Sequence, residues 1–187
     1  MKDDLKIALD ILNKGGVILY PTDTIWGIGC DAADTMAIER IYQIKKREDS
    51  KSMLILVDEA WRIADYVKEV PEIALQLIEV ADKPLTIIYS GAKGISGRLI
   101  SEDGTIGIRV TSDEFCKKLI GALNRPIVST SANISGSMPP SNFNNISKEL
   151  LGSVDYIVKW RQNETAKSQP SSIIKIGSKG EIEIIRK

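Results

Sequence analysis

The sequence predicts an α/β fold in which helices pack on the faces of a mixed sheet. Short apolar runs, such as residues 17–20 and 85–89, are typical of buried strands, and they alternate with segments that have helical periodicity. Near the C-terminus, residues 172–176 and 182–186 flank a Gly-Ser-Lys-Gly stretch, which favours a hairpin. No repeat or linker interrupts this order, so we expect residues 1–187 to form a single domain.

The order of the other elements comes from apolar spacing and from residues that begin or end helices. Leu5, Ala8, Leu9 and Leu12 lie on one face of a first helix, which the glycines at positions 15 and 16 end. We then expect a helix capped by Asp34 or Thr35, a strand at 53–57 and helices at 61–66 and 71–81. A loop at 90–104 should precede a strand at 105–110 and a helix at 113–123 that Ser112 caps. The remaining expected elements are a strand at 127–129, a polar loop at 130–142, a helix near 146–151, a strand near 156–158 and a polar connection at 161–169.

Composition restricts the chemistry that the chain can perform. Its 187 residues contain no histidine and two cysteines that are far apart. Histidine triads and histidine metal sites are therefore excluded, and a disulfide framework is not expected. A formal net charge of zero argues against a broad nucleic-acid coat, and no apolar run is long enough for a membrane helix. We expect a cytoplasmic protein that does not contact a membrane.

Two polar segments could bind a ligand or could simply satisfy local structure. Residues 21–30 follow the first strand with two threonines and two glycines, which suits either a turn or a ligand loop. Cations at 45–47 and at Lys51 either complement a helix C-terminus or hold a polyphosphate. Lys45 lies on the apolar stripe of its helix, so we expect it on the side that faces the core.

Two further segments extend this pattern. Strand alternation places Thr105, Gly107 and Arg109 on one face, where the glycine leaves space between a hydroxyl and a guanidinium. Arg109 is either a surface ion pair on an edge strand or a bidentate ligand for a carboxylate. Residues 126–136 carry a run of hydroxyls and an amide after a buried strand, which form either a self-satisfied turn or donors for phosphate oxygens.

Taken in order, these segments resemble the YrdC family of threonylcarbamoyl-adenylate synthases. Each piece alone has little specificity, but the ordered set covers nearly the whole chain. The matching pieces are Pro-Thr-Asp-Thr at 21–24 with Gly-Ile-Gly at 27–29, Lys-x-Arg at 45–47, Lys-Pro-Leu-Thr at 83–86, Thr-Ile-Gly-Ile-Arg at 105–109, Ser-Thr-Ser-Ala-Asn at 129–133 with Ser-Gly at 135–136, and Pro-Ser-Ser-Ile-Ile at 170–174.

The resemblance implies a twisted, open α/β sheet around a concave basic cavity. It also implies a reaction of ATP, L-threonine and bicarbonate. The threonine amine takes up bicarbonate-derived CO2, and the resulting carbamate attacks the α-phosphate of ATP, so that pyrophosphate leaves. Mg²⁺ is the implied cofactor, and it accompanies the phosphates rather than a side-chain metal site. The product then passes to a transferase complex that modifies tRNA.

The resemblance also implies roles for individual residues. For threonine binding it implies Thr24, Arg109, Ser129 and Ser171. For ATP binding it implies Arg47, Lys51, Thr105, Ser131, Asn133 and Arg186, with Lys45 in the same cavity and with Lys45 and Arg47 as the catalytic residues.

The chain departs from the family pattern near the cations. Glu48 stands where a proline is common, Lys51 begins a pair that is more often Asn-Pro-like, and Lys83 stands where a glycine is usual. Two other functions stay open at this point. One is an RNA-binding module of the same fold, for double-stranded or ribosomal RNA. The other is a paralogue that acts on a different carbamoyl or acyl substrate.

Overall fold

The computed structural model describes residues 1–46, 53–177 and 180–187. Within these ranges the α-helices are α1 (Lys2–Asn13), α2 (Thr35–Lys45), α3 (Ile63–Tyr66), α4 (Glu72–Val80), α5 (Glu114–Leu123) and α6 (Lys148–Leu151). The strands are β1 (Ile18–Tyr20), β2 (Gly27–Gly29), β3 (Leu54–Val57), β4 (Leu85–Ser90), β5 (Thr105–Val110), β6 (Ile127–Ser131), β7 (Tyr156–Ile157), β8 (Ser172–Ile176) and β9 (Ile182–Arg186).

The described strands join in one nine-stranded sheet with the order β7-β1-β2-β6-β3-β5-β4-β8-β9. Strands pair in parallel at β7–β1, β3–β5 and β4–β8 and antiparallel at the other contacts. The predicted mixed sheet is therefore confirmed. The predicted C-terminal hairpin is confirmed as well, because β8 and β9 pair antiparallel.

Helices cover the sheet on both faces, as alternation along β1 illustrates. Ile18 and Tyr20 pack in a core with the apolar faces of α1 and α5. Their neighbours Val17 and Leu19 pack in the second core, which includes the apolar face of α2. Because successive strand residues point to opposite faces, one short apolar run contributes to both cores.

Strand β2 is the main difference from the sequence prediction, which treated residues 21–30 as a turn or a ligand loop. Glycine is depleted in strands, so propensity argues against a strand at Gly-Ile-Gly. Close packing explains it: a Cβ on Gly29 would lie 2.2 Å from the carbonyl oxygen of Val128 and 2.8 Å from Cε1 of Tyr20. Because Gly27 and Gly29 have no side chains, β2 can insert between β1 and β6.

Two smaller predictions also change. Asp113, rather than Ser112, caps α5, because its carboxylate accepts a hydrogen bond from the Cys116 amide at 2.9 Å. The Ser112 amide instead donates to Asp23 at 3.0 Å. Strand β6 continues to Ser131, so part of the predicted polar loop belongs to the sheet.

Two expectations from composition can also be compared with the structure. Cys30 and Cys116 are both buried free thiols, which agrees with the expected absence of a disulfide framework. Among the helices of the described ranges, none is long and apolar enough to cross a membrane.

Candidate active site

A cavity of about 260 Å³ lies on one face of the sheet. Strand pairing explains its position. Leu54 of β3 pairs with Ser129 of β6, and both side chains line the cavity. Two residues further along, Leu56 pairs with Ile127 on the same face, where both pack in the core formed with α1 and α5. The cavity is therefore the part of this face that the two helices leave uncovered.

Most of the site residues predicted in the described ranges meet along this cavity. The predicted alternation in β5 is confirmed, since Thr105, Gly107 and Arg109 all line it. The predicted site residues Arg47 and Lys51 lie outside the described residues. The predicted residues found in the lining are Thr24, Thr105, Arg109, Ser129, Ser131, Ser171 and Arg186.

Arg109 is held in place by a buried carboxylate. Its Nη2 lies 3.1 Å from Oδ1 of Asp23, and the two side chains are only 4% and 6% exposed. β5 lies between β3 and β4, so the edge-strand interpretation of Arg109 is wrong. Its Nε is buried and has no hydrogen-bond partner among the described residues. A fixed guanidinium with an unused donor, at a cavity, is suited to bind a carboxylate.

Thr24 is fixed by bonds within its own loop. The Thr22 hydroxyl donates to the carbonyl oxygen of Ile25 at 2.8 Å and accepts from the Thr24 amide at 3.0 Å. The two threonine hydroxyl oxygens lie 2.9 Å apart. Thr22 therefore orients the hydroxyl that Thr24 presents at the cavity wall.

Ser171 is fixed from two sides. Its Oγ lies 2.8 Å from Oγ1 of Thr86, and both residues are buried. Nε of Arg186 donates to the Ser171 carbonyl oxygen at 2.9 Å, and Nη2 reaches its hydroxyl at 3.4 Å. Burial and then the charge of Arg109 lower the pKa of Arg186. Two cations that destabilise each other at one cavity favour an anionic ligand there.

Thr105 presents an acceptor rather than a donor to the cavity. Its hydroxyl donates to Oδ1 of Asp103 at 2.6 Å, while Lys175 donates to Oδ2 at 2.7 Å. The hydrogen bonds from Lys175 and Thr105 lower the pKa of Asp103 to about 2. Since the hydroxyl proton points to this carboxylate, the lone pairs of Thr105 are left for a ligand donor.

Lys45 lies behind the cavity rather than along it. It is 1% exposed, which confirms the prediction that it faces the core. Its Nζ donates to the carbonyl oxygens of Ser131 at 2.5 Å and Asn133 at 2.8 Å, and its own carbonyl accepts from the Ser135 amide at 2.9 Å. Lys45 thus holds the loop after β6 from both sides. Its catalytic role stays a prediction.

Asn133 also lies within this loop and is not part of the cavity lining. Its Nδ2 donates to the carbonyl oxygens of Ile134 at 3.1 Å and Ser137 at 2.6 Å. Its Oδ1 is buried and finds no hydrogen-bond partner in the part of the chain that the structure describes. The amide therefore shapes the loop on one side and keeps an unused acceptor on the other.

Sequence reasoning gave no role to two residues that orient the site. Asp23 holds Arg109, and Thr86 holds Ser171. Both belong to segments that carry the family resemblance, so the motif pointed to them without indicating their partners. Those partners lie 86 and 85 positions away in the sequence, and only the sheet brings them together.

The fold and the cavity define an α/β protein whose cavity, lined by arginines and hydroxyls, suits a small anionic ligand. A family model with the description "Telomere recombination", that of the Sua5/YciO/YrdC domain, matches residues 10–187. The chain belongs to this family.

Solved structures agree with this assignment. E. coli YciO is 28% identical with a TM-score of 0.87, and the match covers 100% of this chain and 90% of that protein. P. abyssi Sua5 complexed with L-threonine is 25% identical with a TM-score of 0.81, and the match covers 92% of this chain. A doubly substituted P. abyssi Sua5, at 24% identity and a TM-score of 0.86, supports the fold alone. The chain spans about half of Sua5, since these matches cover 50% and 55% of its length.

Proposed function

We propose that this chain is an L-threonylcarbamoyladenylate synthase, which makes threonylcarbamoyl-AMP and pyrophosphate from L-threonine, bicarbonate and ATP. The observation that carries the proposal is the buried Arg109, fixed by Asp23 and open to a cavity lined with hydroxyls. The likeness to a Sua5 complexed with L-threonine supports the amino acid as the ligand of this guanidinium.

Threonine would bind through its carboxylate and its polar side chain. Arg109 would take the carboxylate, since a guanidinium can pair with two oxygens at once. The hydroxyls of Thr24, Ser129 and Ser171 would contact the amine, the substrate hydroxyl and the carbamate. Holding threonine at several points would aim its nitrogen and thereby raise the effective concentration of the reacting groups.

ATP would occupy the part of the cavity near Ser131 and Arg186. Thr105 offers an acceptor there, and Ser131 offers a hydroxyl at the end of β6. Arg47 and Lys51, outside the described residues, would supply further positive charge for the triphosphate, and Asn133 would supply an amide. Mg²⁺ would accompany the phosphates of ATP, as this ion commonly does in nucleotide sites.

The proposed reaction has two steps. The threonine amine attacks the carbon of bicarbonate-derived CO2, which forms an N–C bond and releases a proton. A carbamate oxygen then attacks the α-phosphorus of ATP, and the bond to the β-phosphate oxygen breaks as pyrophosphate leaves. Developing negative charge would be stabilised by fixed cations, which accounts for a site without histidine. Arg47 is the proposed catalytic residue, and Lys45 would support the reaction by holding the end of β6 and the loop after it.

Pyrophosphate release by the purified chain tests the proposal. We expect release from ATP only when threonine and bicarbonate are both present, since the carbamate is the nucleophile. Omission of either substrate should reduce release to the background. Release that is independent of threonine or bicarbonate would reject the proposed reaction.

We propose that a transferase complex that modifies tRNA uses the product, since a mixed carbamic–phosphoric anhydride is an activated carbamoyl donor. The alternative, an RNA-binding module, is tested in the same preparation. Arg109 and Lys45 are buried and do not suit contact with a duplex backbone. RNA affinity with a steep salt dependence, together with no turnover, would favour the alternative.

A further inference from the structure

We propose that Arg161 is a positioning residue that ties together two walls of the threonine end of the cavity, an inference that rests on the proposed function. Arg161 lies in the connection between β7 and β8, where the sequence predicted only a polar segment. Its φ of 67° places it in the left-handed region, which is uncommon for a residue other than glycine. In this conformation the Arg161 side chain contacts residues of other segments.

The Arg161 guanidinium contacts three separate segments. Nη1 donates to the carbonyl oxygen of Thr22 at 3.1 Å and to Oδ2 of Asp113 at 2.6 Å. Nε donates to the carboxylate of Glu164 at 2.8 Å. Asp113 is 8% exposed and Arg161 24% exposed, so solvent screens this pair only in part. Arg161 thus joins the loop after β1, the start of α5 and its own connection.

The first wall that Arg161 fixes is the loop that carries Thr24. The Thr22 hydroxyl binds the Thr24 amide, so fixing the Thr22 carbonyl also fixes the residue that lines the cavity. The start of α5 is the common anchor. There Asp113 binds Arg161, while the Ser112 amide binds the Asp23 carboxylate that holds Arg109.

The second wall is the end of the same connection. Pro170 and Ser171 line the cavity, and the Ser168 amide donates to the carbonyl oxygen of Ser141 at 3.0 Å. A gap of only about 10 Å³ separates the connection from the Thr22–Thr24 loop, with Arg161 in its lining. The connection and the loop therefore lie on either side of this gap, and the hydrogen bond from Arg161 to the Thr22 carbonyl oxygen joins them.

Arg161 does not line the cavity itself, so its effect on threonine must pass through the walls. We expect Arg161→Ala to weaken threonine binding about tenfold, because charged hydrogen bonds that hold Thr24 in place are lost. The affinity for ATP should change less than about twofold. Amide hydrogen exchange in residues 22–26 of the ligand-free protein should become faster.

Arg125→Ala is the matched control. Arg125 also pairs through its guanidinium with a mostly buried carboxylate, Asp31, at 2.6 Å, and it does not line the cavity. This variant should leave threonine affinity and exchange at 22–26 unchanged. Arg161→Lys keeps the charge beside Asp113 but lacks the planar guanidinium that contacts several partners at once. It should therefore retain part of the threonine affinity that Arg161→Ala loses. It also serves as the test if Arg161→Ala does not fold.

The outcomes separate this proposal from the proposed function. Unchanged threonine affinity and unchanged exchange at 22–26 in both Arg161 variants would overturn the positioning role. If the wild-type protein binds no threonine but exchange at 22–26 rises only in the Arg161 variants, the link between the walls is supported and the proposed function fails. Equal weakening of threonine and ATP binding in the Arg161 variants would also overturn the positioning role, because the effect would then not be confined to the threonine end.

Discussion

The two ends of the cavity are held in different ways. At the end where threonine is proposed to bind, Arg109 is fixed by a buried carboxylate from another segment, and Ser171 is fixed by a buried hydroxyl from β4. At the end where ATP is proposed to bind, Lys45 and the Asn133 amide donate to backbone carbonyls at the end of β6 and in the loop after it. The comparison teaches that the two residues proposed for threonine are fixed by partners distant in sequence, whereas the loop after β6 is held through its backbone carbonyls.

The largest effect should come from Arg109 at the threonine end. We expect Arg109→Ala to weaken threonine binding about 100-fold, since it removes the charged donors for the carboxylate. ATP binding should weaken far less, as isothermal titration with each ligand will measure. Arg109→Lys keeps a positive charge near Asp23 but cannot bind a carboxylate through two donors in the geometry of a guanidinium. It therefore separates the loss of bidentate binding from a loss of folding. Equal loss of both ligands would contradict the division into two ends.

The Lys45 variant should act at the other end of the cavity, where ATP is proposed to bind. Lys45→Met keeps the length of the side chain but leaves the carbonyl oxygens of Ser131 and Asn133 without this donor. We expect the unfolding free energy to fall by about 2 kcal/mol. Steady-state kinetics should show a loss in kcat and in ATP affinity, with threonine affinity unchanged. A selective loss of threonine affinity would contradict the claim that the loop after β6 supports ATP binding.

Asp23→Asn tests whether a pair of buried charges orients Arg109. The variant leaves the guanidinium buried with a neutral partner, so we expect the unfolding free energy to fall by about 3 kcal/mol. Threonine affinity should fall about tenfold because the guanidinium is no longer held at one position. Urea denaturation and titration calorimetry measure the two effects. Asp31→Asn, at a carboxylate outside the cavity lining, is the control for threonine binding.

Thr86→Val should produce the smallest effect. It removes the hydroxyl beside Ser171 while it keeps the shape of the side chain, and a neutral hydrogen bond contributes about 1 kcal/mol. We expect about a threefold to fivefold rise in the KM for threonine and no change in the KM for ATP. Thr86→Ser restores the hydroxyl and should restore the KM. A failure of Thr86→Ser to do so would assign the effect to packing.

Much of the fold could be predicted because its strands and helices follow simple periodicities. The alternation that placed Thr105, Gly107 and Arg109 on one face also holds in the structure. Strand β2 could not be predicted, because its cause is the close approach of Gly29 to the backbone of β6, which no local pattern records. The cap of α5 was assigned one residue early for a related reason. The Ser112 amide donates a hydrogen bond to Asp23, a residue distant in sequence.

The residues that line the cavity could be predicted better than the contacts that hold them. Motifs indicated which residues lie near the cavity, since each belongs to a strand or lies next to one. They did not indicate that Asp23 orients Arg109, that Thr86 orients Ser171 or that Arg161 joins two segments. These are long-range pairs, and their geometry depends on the order of strands in the sheet. The predicted phosphate contacts of Arg47 and Lys51 stay predictions, because both residues lie outside the described ranges.

The most direct test of the central claim follows the carbon of bicarbonate. The purified chain is incubated with ¹³C-bicarbonate, L-threonine and ATP, and the products are analysed at once by mass spectrometry. The account predicts an AMP adduct that contains threonine and one labelled carbon, and predicts that Arg109→Ala fails to form it at a threonine concentration that saturates the wild type. AMP formation without a labelled adduct, or a labelled adduct that lacks threonine, would contradict the account.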